Sequence, residues 1–244
     1  MIEQTVELPT TDGTMTTFIV HPEREGPHPV ILFLMDAPAV RDELRDMARR
    51  LASVGYYVML PNLYYRQGVM ELAALPPMPE AEHRARMFEL MATLTMAGVM
   101  ADADALLAFA RRDPAASNRK AGAVGYCMSG QYAINLAARH PDRIATAASI
   151  HGVRLVTDRS DSPHLAAQKA KGELYFACAE HDQYAPLETV EALAQALKVH
   201  RVNAEVEFYP GVRHGFVFPQ RATYDLASAE RHWERLFSLF RRRL

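Results

Sequence analysis

The spacing of apolar residues changes along this chain, and each spacing predicts an element. Residues 5–8 and 15–20 flank Thr10-Thr11-Asp12-Gly13, where Asp-Gly marks a tight turn, and together they predict an opening hairpin. Residues 29–35 form a continuous apolar run, as expected for a strand covered on both faces of a parallel sheet. Over 42–54 the spacing turns helical, with Leu44, Met47, Ala48 and Leu51 on one face; Gly55 ends it, and 56–60 reads as a strand stopped by Pro61. Residues 80–112 read as helical with a break within 93–98. A strand over 121–125 leads into a helix over 131–140, which stops before Pro141 because a residue preceding proline resists the α region. Strands are predicted at 146–150, 173–177 and 204–209, with a helix over 188–200 between the last two. A final helix over 224–241 carries Leu226, Ala229, Trp233, Leu236, Phe237 and Phe240 on one stripe. Residues 64–79 are the least regular, and Leu75-Pro76-Pro77-Met78-Pro79 reads as an extended cover near the strand ends, where such sheets bind ligands.

Strands alternating with helices predict an α/β protein with a doubly wound, mostly parallel sheet and helices on both faces. No internal repeat, low-complexity tract or long linker divides the 244 residues, so 1–244 reads as a single domain; with 49% hydrophobic residues it can bury a full core. A net charge of −2 without a long basic block points away from nucleic acid and anionic membranes. Arg241-Arg242-Arg243 sits where cations complement a helix C-terminus. Two cysteines, Cys127 and Cys178, make no disulfide framework, there is no signal-like start, and no apolar run approaches the ~20 residues of a membrane span. The expectation is a cytoplasmic, soluble protein, a monomer or small homo-oligomer.

The stretch richest in chemistry is Gly125-Tyr126-Cys127-Met128-Ser129-Gly130. Small residues around a central nucleophile, between a strand and a helix, are the nucleophile elbow of α/β-hydrolases. The turn lifts the central side chain above the sheet, and here that side chain is a thiol, whose reactive form is the thiolate. An activated thiol needs a base, and the base an orienting acid; in α/β-hydrolases the chain order is nucleophile, acid, histidine. Asp182 follows the 173–177 strand and His214 the 204–209 strand, on the same edge as Cys127, which predicts a Cys127–His214–Asp182 triad. Glu180 and His181 lie near enough to compete for those roles. The oxyanion is expected on the backbone N–H of Met128, directly after the nucleophile, and of Ala37, after the 29–35 strand. His151, following the 146–150 strand, is a candidate to face substrate from that edge. Met87, Met91, Met96 and Met100 read as a packed helix face. Neither spacing for a metal site nor a phosphate-binding glycine motif occurs, so no metal and no cofactor is expected.

These residues resemble the dienelactone hydrolases, or carboxymethylenebutenolidases. The resemblance covers most of the chain: Pro29-Val30-Ile31 leading to an acidic residue, Leu60-Pro61-Asn62-Leu63-Tyr64, Gly125-Tyr126-Cys127, His181-Asp182 and the loop around His214. It implies the α/β-hydrolase fold, a Cys127, Asp182 and His214 triad, and hydrolysis of a small-molecule lactone or ester through an acyl-enzyme, in the family's case the lactone ring of dienelactones in aromatic compound degradation. Asp36 stands where the family has a glutamate that contacts the nucleophile and gates its ionisation. Arg84, or Arg86 on the same helix, aligns with one of two arginines that hold the substrate carboxylate. The second is expected four residues after the histidine, where this chain has Phe218, which predicts an apolar wall and better use of neutral esters. Ser129 replaces a family glycine. The rivals are an esterase or thioesterase for a bulkier uncharged substrate, and a non-catalytic module that binds a small molecule.

Overall fold

Asp12 and Gly13 turn the chain so that β1 (Ile2–Thr10) and β2 (Gly13–His21) pair antiparallel along their whole length, Ile2 opposite His21 and Thr10 opposite Gly13. The computed structural model describes residues 1–72 and 78–244; of the extended cover expected near the strand ends, Leu75, Pro76 and Pro77 lie outside the described residues. The chain divides into two units, Met1–Asn118 and Arg119–Leu244.

In the first unit, β4 (Tyr57–Pro61) pairs antiparallel with β2 and parallel with β3 (His28–Leu34), giving the order β1-β2-β4-β3. Residues Val30 to Leu34 of β3 are almost wholly buried, as their continuous apolar run predicts. Helix α1 (Asp42–Ala52) packs against β2 and β4 and buries the expected stripe of Leu44, Met47, Ala48 and Leu51. The long helical stretch breaks where expected: α2 (Glu80–Thr93) and α3 (Met96–Ala110) meet at 75°. The Thr95 hydroxyl accepts the Gly98 N–H at 3.0 Å, capping α3. Helix α3 lies on β1 and β3, whereas α2 buries only Leu90. Met100 is buried on α3; Met87, Met91 and Met96 are not, so the four methionines form no single packed face. No single helix among the described residues is long and apolar enough to cross a membrane.

In the second unit, β5 (Ala116–Tyr126), β6 (Ile144–Ile150), β7 (Glu173–His181) and β8 (Ala204–Arg213) pair in parallel in that order. Helix α4 (Gly130–Arg139) packs on β6; a short α5 (Pro163–Ala166), absent from the sequence expectation, packs on α4; α6 (Leu187–Val199) covers β7 and β8; α7 (Leu226–Arg243) covers β6 and β7. Helix α7 begins two residues later than its pattern suggests, because the Asp225 side chain accepts the Ser228 N–H at 2.8 Å and fixes the start. Leu226 consequently stays exposed, while Ala229, Trp233, Leu236 and Phe240 form the buried stripe.

The strands of this unit run further than their apolar cores. As a result Cys127, His151, Asp182 and His214 each take the first position past the carboxyl end of a strand, on β5, β6, β7 and β8 in turn. Four neighbouring parallel strands thus deliver four chemically active side chains to one edge.

Candidate active site

The turn after β5 is tight for reasons visible in its small residues. A Cβ on Gly125 would lie 2.1 Å from the Ser129 carbonyl oxygen, and one on Gly130 would lie 2.3 Å from Ser149 Oγ and 2.7 Å from Gly152 Cα. Neither space admits a side chain. Ser129 fits where the resemblance has glycine and is fully buried; the contact with Gly125 is made by its backbone. Between these residues Cys127 adopts φ +52°, a left-handed conformation costly for a residue with a Cβ, and its carbonyl accepts the Val153 N–H at 3.1 Å. Met128 follows in the short turn that opens α4.

Both cysteines are free thiols. Cys178 is buried within β7, and burial, reinforced by the nearby Asp182 charge, pushes its thiol up to about 12. That keeps it protonated and unreactive. Cys127 is only half-buried and has an imidazole beside it.

That imidazole is His214. Its Nδ1 bonds Asp182 Oδ2 at 2.7 Å, and the other carboxylate oxygen, Oδ1, accepts the Tyr184 N–H at 2.9 Å. The acid is thus held at both oxygens. Glu180 is engaged elsewhere, accepting the Gly211 N–H at 2.6 Å, and His181 stands exposed next to it; neither takes the acid or base position. Burial, the largest influence on His214, disfavours its charged form. Hydrogen bonding to Asp182 and then to the Cys127 sulfur, with the charges of both, outweighs it and raises the imidazole to about 9. Among the described residues the Nε2 atom finds no well-aligned hydrogen-bond partner. The Cys127 sulfur therefore lies near enough to act on the ring without closing an ideal bond. The Thr223 hydroxyl donates to the His214 carbonyl at 3.0 Å and ties down the loop.

Two rings stand edge-on to His214: His151, with centroids 4.7 Å apart, and Tyr184, 5.0 Å apart. His151 is 1% exposed, so its side chain is packed against His214 rather than open to substrate. Phe218 is also fully buried, against Tyr126 and His151, with the Arg221 guanidinium 4.4 Å above its ring. A cleft of about 480 Å³ opens beside His214, lined among others by Tyr184, Gln183, Arg213, Arg221 and Thr223, and not by Phe218. Tyr184 was not among the sequence candidates, whereas Arg213 and Arg221 are the cations the sequence offers in place of the one lost at Phe218. The signal for Tyr184 was present: an aspartate that accepts the N–H two residues on is a standard turn, and it puts residue 184 next to the acid's partner.

The remaining candidates belong to the first unit. Asp36 is completely buried and pairs with Arg41, Nη1 to Oδ1 at 2.6 Å, while Arg41 also grips Glu43. Ala37 is buried and its carbonyl accepts the Tyr64 hydroxyl at 3.1 Å. On α2, the Arg84 guanidinium lies 5.7 Å from the Phe88 ring centroid and Arg86 pairs with Glu89 at 3.1 Å.

Residues 15–244 match the Dienelactone hydrolase family. Two curated proteins, each named "Putative carboxymethylenebutenolidase", are similar along nearly the whole chain. One, from Synechocystis, is 28% identical over 98% of this chain and 96% of its own; the other, from Methylorubrum extorquens, is 29% identical over 99% and 81%. A solved structure of a "Putative Dienelactone Hydrolase" from Klebsiella pneumoniae superposes with a TM-score of 0.87 at 27% identity, covering 98% of both chains.

Proposed function

Because the chain belongs to the dienelactone hydrolase family, and so is a hydrolase with the α/β-hydrolase fold, we propose that it cleaves a small-molecule lactone or carboxylic ester with Cys127 as nucleophile, His214 as base and Asp182 as the acid that orients it. The observation that carries this reading is the raised proton affinity of a His214 bonded to Asp182 and acted on by the Cys127 sulfur. A binding module has no use for that arrangement. The family match over 15–244 supports 1–244 acting as one hydrolase domain, and two free cysteines suit the cytoplasm.

The thiol proton passes from Cys127 Sγ to His214 Nε2, and the thiolate attacks the substrate carbonyl carbon. The tetrahedral oxyanion accepts the Met128 N–H; the sequence names Ala37 as second donor. As the intermediate collapses, the carbon–oxygen bond breaks and His214 returns its proton to the leaving oxygen, which in a lactone stays tethered as the freed hydroxyl. Water, deprotonated by His214, then attacks the thioester, and Cys127 leaves as the thiolate with the acid released. His214 at about 9 keeps the proton through neutral pH and so is charged as an acid when the leaving oxygen needs it.

Substrate charge has a second reading. The apolar wall expected from Phe218 favours neutral esters. The burial of Phe218 under Arg221, and the presence of Arg213 and Arg221 along the cleft beside His214, favour instead a substrate with a carboxylate. One set of measurements tests both levels: kcat/KM for a dienelactone and for its methyl ester, in wild type, Cys127→Ala and Arg221→Gln. The expected result is no turnover by Cys127→Ala and a wild-type preference for the acid of at least tenfold that Arg221→Gln removes. Near-native turnover by Cys127→Ala overturns the nucleophile. Equal use of both substrates by wild type restores the neutral-ester reading.

A further inference from the structure

Strands β5, β7 and β8 are each followed directly by one of the three residues that the hydrolytic reading uses, and β6 by His151, which it leaves idle. His151 is held in a costly way. Its φ is +36°, in the left-handed region, pinned by its N–H bonding the Ala177 carbonyl at 2.8 Å. The side chain is buried, and neither ring nitrogen finds a hydrogen-bond partner among the described residues. The walls are aromatic: Phe218 at 5.4 Å, Phe216 at 5.9 Å and Tyr126 at 6.0 Å between centroids. A phenylalanine would suit such a box and would leave no polar atom unpaired. The box holds an imidazole instead, and its nearest ring is the base itself, 4.7 Å away and inclined at 68°.

We propose that His151 is a positioning residue for hydrolysis: its buried ring braces the plane of the His214 imidazole, and its ring dipole biases the protonation equilibrium of that base. The brace has a counterpart, because the cleft-lining Tyr184 also meets His214 edge-on, at 71°, and the Asp182 bond holds its Nδ1. Contacts that resist turning of the ring away from Cys127 and Asp182 lower the cost of reaching the attack geometry. The titratable and charged groups facing His151 are His214, Arg221, His232 and Tyr126. Burial first, and then the charges of His214, Arg221 and His232, hold His151 well below the ordinary histidine range, so it stays neutral beside a protonated His214. A neutral imidazole keeps a large dipole, which a benzene ring lacks.

The inference rests on the Cys127–His214–Asp182 reading, and its test is separable from the test of that reading. His151→Phe preserves the packing. It is expected to fold with an equal or higher Tm, to lose at least tenfold in kcat with KM within twofold, and to move the basic limb of the kcat/KM–pH profile downward by at least half a unit. His151→Asn, which keeps polarity without the ring, is expected to lose turnover and to move the same limb. A His151→Phe enzyme with wild-type kcat and an unmoved limb overturns the proposal and leaves the triad standing; where that variant does not fold, an unmoved limb in His151→Asn overturns it. Turnover surviving in Cys127→Ala, by contrast, removes the triad itself.

Discussion

Asp36, in the first unit, and Asp182, in the second, are both withdrawn from solvent, and both accept from a nitrogen at short range: 2.6 Å from Arg41 Nη1 and 2.7 Å from His214 Nδ1. The geometry is nearly the same, and what differs is the partner's chemistry. A guanidinium stays protonated at any pH the protein meets, so Asp36, Arg41 and Glu43 make a permanent brace. Asp102, bound to Arg66 at 2.8 Å, is a second brace of this kind in the same unit. An imidazole titrates near neutrality, so a carboxylate beside it decides whether the proton is held or given up. The Asp182 charge raises the proton affinity of His214, whereas the Asp36 charge meets a guanidinium five residues on in the same loop. Burial and a short hydrogen bond do not by themselves mark a catalytic acid.

The comparison breaks most sharply at Asp182. Asp182→Asn keeps the shape of the contact but favours the wrong tautomer of His214, and kcat should fall on the order of 10⁴-fold with the far-UV circular dichroism unchanged. A loss below tenfold would mean that Asp182 only braces, as Asp36 does.

The mirror experiment is Asp36→Asn. Breaking a buried pair leaves a charge uncompensated, and the expected cost is about 3 kcal/mol, the low end for such a loss because Glu43 still holds Arg41. Urea unfolding should show the lower midpoint, with turnover per folded molecule within a few-fold of wild type. If stability holds and turnover collapses, Asp36 acts on the nucleophile in the way the family resemblance implies.

The smallest effect, and the one that sharpens the contrast, is in pH. His214 is raised from an ordinary 6.5 to about 9 in the folded state, so the stability from its bound proton is complete below about 6.5 and is lost as pH rises through about 9. Wild-type Tm should therefore fall across that window, and kcat/KM should decline along a basic limb near 9. Cys127→Ala should narrow the Tm window, since the sulfur contributes to the raised proton affinity of His214. Against the burial that opposes its charge, Asp36 and Glu43 hold the Arg41 guanidinium above its ordinary value, so it stays charged and Asp36→Asn should lower Tm equally at every pH in this range. A Tm that is flat from 6.5 to 9 in wild type would show that His214 holds no extra proton.

Much of this was readable in order of residues alone. An apolar run, a small-residue frame around a thiol, and acid and histidine following later strand cores all depend on spacing along the chain, and spacing is a one-dimensional property. The break between α2 and α3, the α1 stripe and the opening hairpin are of the same kind. The short α5 and the true ends of β7 and β8 were not readable, because hydrogen bonds to a neighbouring strand extend an element past its apolar core.

What the sequence determined by itself, then, is the alternation of strand and helix and the order thiol, carboxylate, imidazole along it, since both follow from local geometry and from which residue types occur at the strand ends. Only the tertiary structure decided which acid meets which base. Asp182 rather than Glu180 reaches His214, Asp36 reaches an arginine, Phe218 passes beneath Arg221, and His151, 63 positions away in sequence (214 − 151), comes to lie against the base. Those outcomes turn on a side chain's direction and on contacts of a few ångströms between residues far apart in the chain, and such distances exist only after the strands have set their register.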